Sequence, residues 1–204
     1  MVAFTLYTDY DITLFRSGKH YKLYKKLGSR TAQVDGVDGV YFAVWAPNAN
    51  YVSVIGDFNG WNSASHQLKV RWDESGIWEG SIPTLQNGTA YKYHIGTSSG
   101  EQLEKADLFA IRTELPPRTA SIVDTTWYTW EDKDWMGKRQ AHNALDKPIS
   151  VYEMHLGSWM RDANEPDRFL NYREIATRLA PYIQAMGFTH VAFIPPMEHP
   201  FYPS

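Results

Sequence analysis

The hydrophobic period of the chain changes once, near residue 147, and this change limits the folds that are open to it. From Gly39 to Val123, short β-type runs alternate with turn clusters at the spacing of a β-sandwich. Beyond residue 147, two apolar runs flank an amphipathic helical stretch, a pattern that predicts a βαβ unit with parallel strands and a right-handed crossover. We therefore expect an all-β, immunoglobulin-like sandwich followed by the beginning of an α/β domain.

The sandwich region has the two-residue period of half-buried strands. The run Val40–Ala46 alternates cleanly, and Asn87-Gly88 is a strong tight-turn dipeptide. Counting such runs predicts about seven strands. Trp78 lies inside the run Ile77–Ile82, which predicts a core position for its indole.

The βαβ region carries clear helix boundaries. Asn171 with Glu174 three residues later has the arrangement of a capping box, and Gly187 suits the residue that follows a helix. Pro181 falls inside the helical stretch and is expected to kink it. One βαβ unit leaves two open sheet edges, so we expect the chain to be incomplete at this point.

These patterns divide the chain into four segments. Residues 1–30 form an N-terminal leader that should pack against another part of the protein, and residues 31–125 form the sandwich. Residues 126–146 look like a charged linker without a period, and residues 147–204 contain the βαβ unit.

Composition excludes several classes of function. The chain has no Cys, which rules out disulfides, thiolate metal sites and cysteine nucleophiles. Its formal net charge of −3 argues against a nucleic-acid partner, and the absence of an 18-residue apolar run argues against a membrane span. We expect a cytoplasmic protein, of an oligomeric state that the sequence does not give. Aromatic residues make up 15% of the chain, which suits either β-sheet cores or stacking on sugar rings.

Several sandwich motifs resemble the glycogen-binding β-sandwich module that precedes the catalytic barrel in starch- and glycogen-modifying enzymes. They are Tyr41–Ala49, Gly56–Asn62, Gly76–Glu79 and Tyr91–Tyr93. Debranching enzymes and glycogen-sensing kinase subunits share these motifs, so they indicate a superfamily rather than a reaction.

Later motifs are similar to the opening of the α-amylase-type barrel in 1,4-α-glucan (glycogen) branching enzymes. They are Val151–Trp159, Tyr172–Glu174, Gly187–His190 and Met197–Phe201, and the leader segment Asp11–Gly28 is also similar. The resemblance implies that residues 147–204 begin a (β/α)8 barrel. It further implies an enzyme that moves an α-1,4-glucan segment into α-1,6 linkage, with α-1,4-glucan, glycogen or starch as the partner.

The catalytic residues of that family do not map onto this chain. The family uses an aspartate nucleophile, a glutamate acid/base and a second aspartate on barrel strands four, five and seven, whereas this sequence covers two strands. Retaining chemistry on a glycosidic bond needs two carboxylates about 5 Å apart. Glu153 and Glu198, the carboxylates on or beside the two strands, match no catalytic motif, so no catalytic residue is assigned.

Three residues are candidates for binding glucan. Trp61 lies in an Asn- and Gly-rich turn that can present an indole to a glucose face, and Asn59 and Lys92 are its candidate polar neighbours. A core position for Trp61 and a solvated Lys92 remain the alternatives. In the kinase-type modules, a second Trp follows the strand of Lys92, whereas Ser98–Leu103 contains none.

No metal or cofactor is expected. His155, Glu198 and His199 lack the spacing of a zinc motif, and their places after two strands suit the wall of a substrate cleft better. Two other functions stay open. One is a non-catalytic glucan-binding module for targeting or sensing, and the other is the N-terminal part of an α-1,6 debranching or trehalose-releasing hydrolase.

Overall fold

The computed structural model describes residues 4–125, 128–194 and 196 of the 204-residue chain. The described residues divide into two compact units, the first within residues 1–127 and the second within residues 128–204. The first unit begins with helix α1 (Asp9–Arg16) and a short 3-10 turn (Leu23–Lys25). Its strands are β1 (Gly28–Val34), β2 (Val37–Trp45), β3 (Ala49–Ile55), β4 (Lys69–Val70), β5 (Ile77–Pro83), β6 (Ala90–Thr97), β7 (Gln102–Lys105), β8 (Arg112–Thr113) and β9 (Ser121–Ile122).

Two antiparallel sheets form the first unit. One has the strand order β1-β2-β5-β4, and the other has the order β3-β6-β9-β8 with β7 also paired to β6. A single buried cluster takes side chains from both sheets, including Val40 and Phe42 of β2 and Tyr91 and Tyr93 of β6. The expected all-β sandwich is therefore present, and the predicted core position of Trp78 is confirmed by its exposure of 7%.

The N-terminal segment covers the outer face of the first sheet. Tyr41 and Ala43 of β2 alternate with the inward-facing residues and form a second buried cluster with Tyr7, Ile12 and Leu27. The expectation that the leader packs against another part of the protein is met here. It does so partly through α1, a helix that the sequence analysis did not predict.

The start of α1 is fixed by a capping box between Thr8 and Asp11. Asp11 also forms ion pairs with His20 and Lys26 at 2.9 Å each. Burial tends to raise the pKa of the Asp11 carboxyl, but hydrogen bonds from Thr8, Lys26 and His20 outweigh burial and hold this pKa well below its usual range. Hydrogen bonds and ion pairs of Asp11 within the segment therefore stabilise it, in addition to its packing on the sheet.

A buried arginine ties the same segment to the outer face of the sheet. The Arg71 guanidinium donates to Asp73 Oδ2 at 2.8 Å, to Glu79 Oε1 at 2.6 Å and to Thr5 Oγ1 at 2.6 Å. It also lies 5.2 Å from the centre of the Tyr7 ring. Because Arg71 is only 8% exposed, its charge needs compensation inside the protein, and Asp73 and Glu79 supply it.

The second unit contains α2 (Lys133–His142), β10 (Val151–His155), α3 (Tyr172–Met186) and β11 (His190–Ile194). Strands β10 and β11 are parallel, and Met154 pairs with Phe193 in their register. Helix α3 packs on one face of this pair through Ile175 and Leu179. The predicted βαβ unit is confirmed; within the described residues, each of its strands pairs only with the other.

The predicted boundaries of α3 are also confirmed. The Asn171 side chain accepts the backbone N–H groups of Arg173 and Glu174 at 3.0 Å each, and Gly187 follows the helix in the left-handed conformation. Hydrogen bonding to Arg168 lowers the pKa of Glu174 to about 2. The helix continues through Pro181 to Met186.

Besides α1, three elements differ from the sequence-based expectation. The first unit has nine short strands where about seven were predicted; β1, whose residues 28–30 fall in the expected leader, and β8 were not predicted. Helix α2 occupies part of the expected linker, and none of its residues is buried, which explains the missing apolar period.

None of the helices in the described part of the chain is long and apolar enough to cross a bilayer.

Replacing Arg71 with Ala should lower the unfolding free energy of the first unit by about 3 kcal/mol, because it leaves two mostly buried carboxylates without their cation. Urea denaturation followed by Trp fluorescence measures this change. The matched control is Arg118→Ala, which removes an exposed pair with Glu114 and should cost less than about 0.5 kcal/mol. Equal losses in the two variants would contradict the role given to Arg71.

Candidate functional site

The loop that follows β3 is held together by one amide side chain. Asn59 closes a 3-10 turn over Asp57–Asn59, and its Oδ1 accepts the Gly56 N–H at 3.0 Å. Its Nδ2 lies within hydrogen-bond distance of Val54 O and Ser65 Oγ, both at 3.0 Å. The structure therefore uses both ends of the Asn59 amide inside the loop, so that Asn59 does not reach outward as its candidate role supposed.

Two residues of this loop have left-handed backbone conformations that side chains other than Gly adopt rarely. Trp61 has φ 58° and His66 has φ 54°. Such residues cost of the order of 1 kcal/mol each and persist only where the surrounding contacts over-determine them. The bonds of Asn59 supply those contacts, since its Nδ2 also lies 3.1 Å from His66 Nδ1.

The indole of Trp61 is fixed in orientation and open to solvent. Its Nε1 donates to Asp57 Oδ1 at 2.7 Å, and 38% of the residue is exposed. Trp61 belongs to neither buried cluster of the first unit, in contrast to Trp78, whose Nε1 donates to Ala46 O within the core. The alternative that Trp61 fills the core is therefore not the arrangement in this structure.

Lys92 lies at the same end of the same sheet as the loop. Its neighbours Tyr91 and Tyr93 point into the core, so the alternation of β6 puts Lys92 on the outer face. Lys92 pairs across the sheet with Ile55, the last residue of β3, and Gly56 opens the loop directly afterwards. Within the described part of the chain, the half-buried Lys92 has no ion-pair partner.

Sequence reasoning missed a second aromatic group on this outer face. Tyr51 of β3 lies beside His94 of β6, with its hydroxyl 3.0 Å from His94 Nε2 and hydrogen-bonded to Gln102 Oε1. The alternation of β6 could have indicated that His94 and Gly96 share the face of Lys92. The alternation of β3 likewise puts Tyr51 on the face opposite Val52 and Val54, but it does not show that the ring lies over Gly96.

The residues considered for metal binding do not form a metal site in the described part of the chain. His155 ends β10, while Glu198 and His199 lie outside the described residues. No group of three potential metal ligands occurs among the residues that the structure describes. Glu153, the carboxylate of β10, is exposed.

Part of the first unit matches a known protein family. Residues 26–110 match the family model described as carbohydrate-binding module 48 (isoamylase N-terminal domain). This match covers all the residues of the candidate site.

Curated relatives extend the similarity to almost the whole chain. It is 48% identical over 198 residues to the 1,4-alpha-glucan branching enzyme GlgB of Gloeobacter violaceus, covering 97% of this chain and 27% of that protein. Against the GlgB of Aquifex aeolicus the identity is 49% over 204 residues, with 100% of this chain and 32% of that protein covered. The resemblance to branching enzymes is confirmed, and the chain spans about a third or less of the length of these relatives.

Solved structures with the same fold have lower identity. A putative alpha amylase from Salmonella typhimurium matches with a TM-score of 0.58 and 22% identity, over 86% of this chain and 25% of that one. The GBS pullulanase SAP, solved in complex with maltotetraose, matches with a TM-score of 0.58 and 18% identity, over 86% and 24%. At such identities, these structures support the fold alone.

Replacing Asn59 with Ala should loosen the loop and lower the unfolding free energy of the first unit by about 1–2 kcal/mol, because several hydrogen bonds are lost at once. Amide exchange at Gly56 and Gly60 should become faster. The matched control is Asn62→Ala in the same loop, which removes one local bond to Ala64 and should change both quantities little. Unchanged exchange in the Asn59 variant would contradict the positioning role.

Proposed function

Since residues 26–110 carry a carbohydrate-binding module 48 domain and the chain is similar along its length to branching enzymes, we propose that it is the glucan-binding N-terminal part of a 1,4-α-glucan branching enzyme. The parent enzyme would cut an α-1,4-glucan and reattach the released segment in α-1,6 linkage. This part of the protein binds glycogen or starch and holds it near the catalytic domain.

The observation that carries this proposal is the fixed and exposed indole of Trp61. An aromatic ring presents a flat apolar surface, and the apolar faces of glucose rings stack on such surfaces. The Asp57 bond and the left-handed backbone hold the ring in place before the ligand arrives, which reduces the entropy lost on binding.

Lys92 and Asn59 have different roles in the proposed site. The Lys92 ammonium group supplies hydrogen-bond donors on the outer face of β6, where sugar hydroxyls can accept them. Asn59 acts as a positioning residue, because its amide is committed to the loop. Catalysis is assigned to none of these residues.

The second unit is proposed to be the start of the catalytic barrel. A (β/α)8 barrel is built from parallel strands that alternate with helices, and β10, α3 and β11 have this arrangement. We assign residues 1–30 as the leader, 31–125 as the glucan-binding sandwich, 126–146 as a connecting segment that contains α2, and 147–204 as the first part of the barrel.

The two other functions receive less support. A free-standing targeting or sensing module would not need the βαβ unit that follows the sandwich. A debranching or trehalose-releasing hydrolase shares the architecture, but relatives at 48–49% identity are branching enzymes.

Trp61→Ala should weaken binding of maltoheptaose about fivefold, since an indole stacking contact is worth about 1 kcal/mol. A shallow site predicts a dissociation constant of about 1 mM for the unsubstituted protein. Isothermal titration calorimetry gives both values, and thermal melting should be nearly unchanged because the residue lies outside the buried clusters.

The matched control is Trp72→Ala, which removes an indole that is 82% exposed in the turn between β4 and β5. Binding of this variant should equal that of the unsubstituted protein. A fall in the melting temperature of Trp61→Ala by many degrees, with binding retained by the folded fraction, would contradict the assignment of Trp61 as the glucan platform.

The 204-residue chain should show no branching or hydrolytic activity on amylose, since no pair of carboxylates is expected to flank a glycosidic bond within it. Iodine staining and the release of reducing ends measure the two activities. Turnover by a pure sample that disappears in a Glu153→Gln variant would contradict this expectation and identify a catalytic carboxylate.

A further inference from the structure

Tyr51 lies flat on the outer face of the second sheet because its partner across the strands has no side chain. Gly96 is the residue that pairs with Tyr51 in the register of β3 and β6. A Cβ atom on Gly96 would lie 2.2 Å from Cε1 and 2.8 Å from Cζ of the Tyr51 ring. The ring therefore lies directly over the glycine backbone, and Gly96 is buried beneath it.

The edge of the same ring is held by polar neighbours. Its hydroxyl bonds to His94 and to Gln102, and His94 Nε2 lies 2.9 Å from Gln102 Oε1. The Tyr51 and His94 ring planes are within 27° of each other, with centroids 5.7 Å apart. The two rings are thus nearly parallel and joined by a hydrogen bond, so that His94 supports the orientation of the Tyr51 ring.

We propose that Tyr51, supported by His94, Gly96 and Gln102, is a second stacking platform for the same α-glucan chain that Trp61 holds. This inference rests on the proposed function and extends the site along β6. Gly96 lies four positions after Lys92, which pairs with the last residue of β3, so this part of the face is about 13 Å long. An oligosaccharide of several glucose residues can contact both ends of this face, whereas a disaccharide contacts one.

Flatness is what makes this surface suitable for a sugar. A ring with one face on the backbone of Gly96 has only its other face available to a ligand; Tyr51 is half-buried, and the bonds to its hydroxyl prevent the ring from turning on edge. The platform is assembled from side chains of three strands, β3, β6 and β7.

Calorimetric titrations with maltose and with maltoheptaose test the proposal. In the unsubstituted protein, maltoheptaose should bind clearly more tightly than maltose. We call the ratio of the maltoheptaose affinity to the maltose affinity the gain with chain length. In Tyr51→Ala this gain should shrink about fivefold, while the affinity for maltose at Trp61 should change less than about twofold. The matched control is Tyr21→Ala, which removes a tyrosine that is 87% exposed on the N-terminal segment and should leave both affinities unchanged.

Two further variants separate the platform from a folding defect. Gly96→Ala keeps the tyrosine but forces its ring off the sheet, and it should lose the gain with chain length as Tyr51→Ala does. Tyr51→Phe keeps the ring over Gly96 but loses the hydroxyl bonds that hold it flat, so it should keep more of the gain than Tyr51→Ala does and less than the unsubstituted protein.

The outcomes also distinguish this inference from the function on which it rests. An unchanged gain in both Tyr51→Ala and Gly96→Ala, with weaker binding in Trp61→Ala, overturns the second platform and leaves the proposed function standing. The same loss in Tyr21→Ala as in Tyr51→Ala overturns the platform as well. If the unsubstituted protein binds neither maltose nor maltoheptaose, both the second platform and the proposed function are overturned.

Discussion

Burial of both faces of the first sheet is the constraint on which the rest of the first unit depends. Strand β2 sends Val40 and Phe42 to the core between the sheets, and it sends Tyr41 and Ala43 to a second cluster under the N-terminal segment. A sheet covered on both sides has no free face for a ligand. The second sheet keeps a polar outer face, with Lys92 among its residues, and every candidate binding residue lies on that sheet or in the loop that follows β3. The first sheet thus contributes mainly to the stability of the unit, and the proposed glucan contacts lie on the second sheet and its loop.

Arg71 helps to hold the N-terminal segment over the first sheet. The cover over the first sheet contains few residues, so apolar contact alone gives it limited stability, and a charged network adds to it. The hydroxyl of Tyr41 donates to Glu79, which the guanidinium also contacts. Burial, together with this bond to Glu79, raises the pKa of Tyr41 well above its usual value, so the tyrosine stays a neutral donor. Removing one partner leaves the others buried and unpaired, which is why such a network ties a segment in place strongly.

Local patterns could be predicted from the sequence, and pairings between distant residues could not. Alternation located β2 and the core position of Trp78, and the capping box located the start of α3, because each depends on neighbours within a few residues. Strand β1 has few apolar side chains, Ala32 and Val34, so it has little alternation to detect. Asn59 is a residue type that often binds sugar hydroxyls, but in this structure its amide forms hydrogen bonds inside the loop. Tyr51 lies flat on the outer face because it pairs with a glycine 45 residues away in sequence, a pairing that local alternation does not show.

A weak site fits the proposed substrate better than a tight one. Stacking on one or two exposed rings buries little surface and leaves the sugar hydroxyls largely hydrated, so each contact contributes about 1 kcal/mol. A branched glucan offers many equivalent chains to one protein, and a second contact on the same chain is intramolecular, with an effective concentration set by the spacing of the two platforms. The two proposed platforms, Trp61 in the loop after β3 and Tyr51 on β3, would meet this requirement without tight binding at either. Either contact could then be released while the other holds, so that a glucan chain could move across the surface.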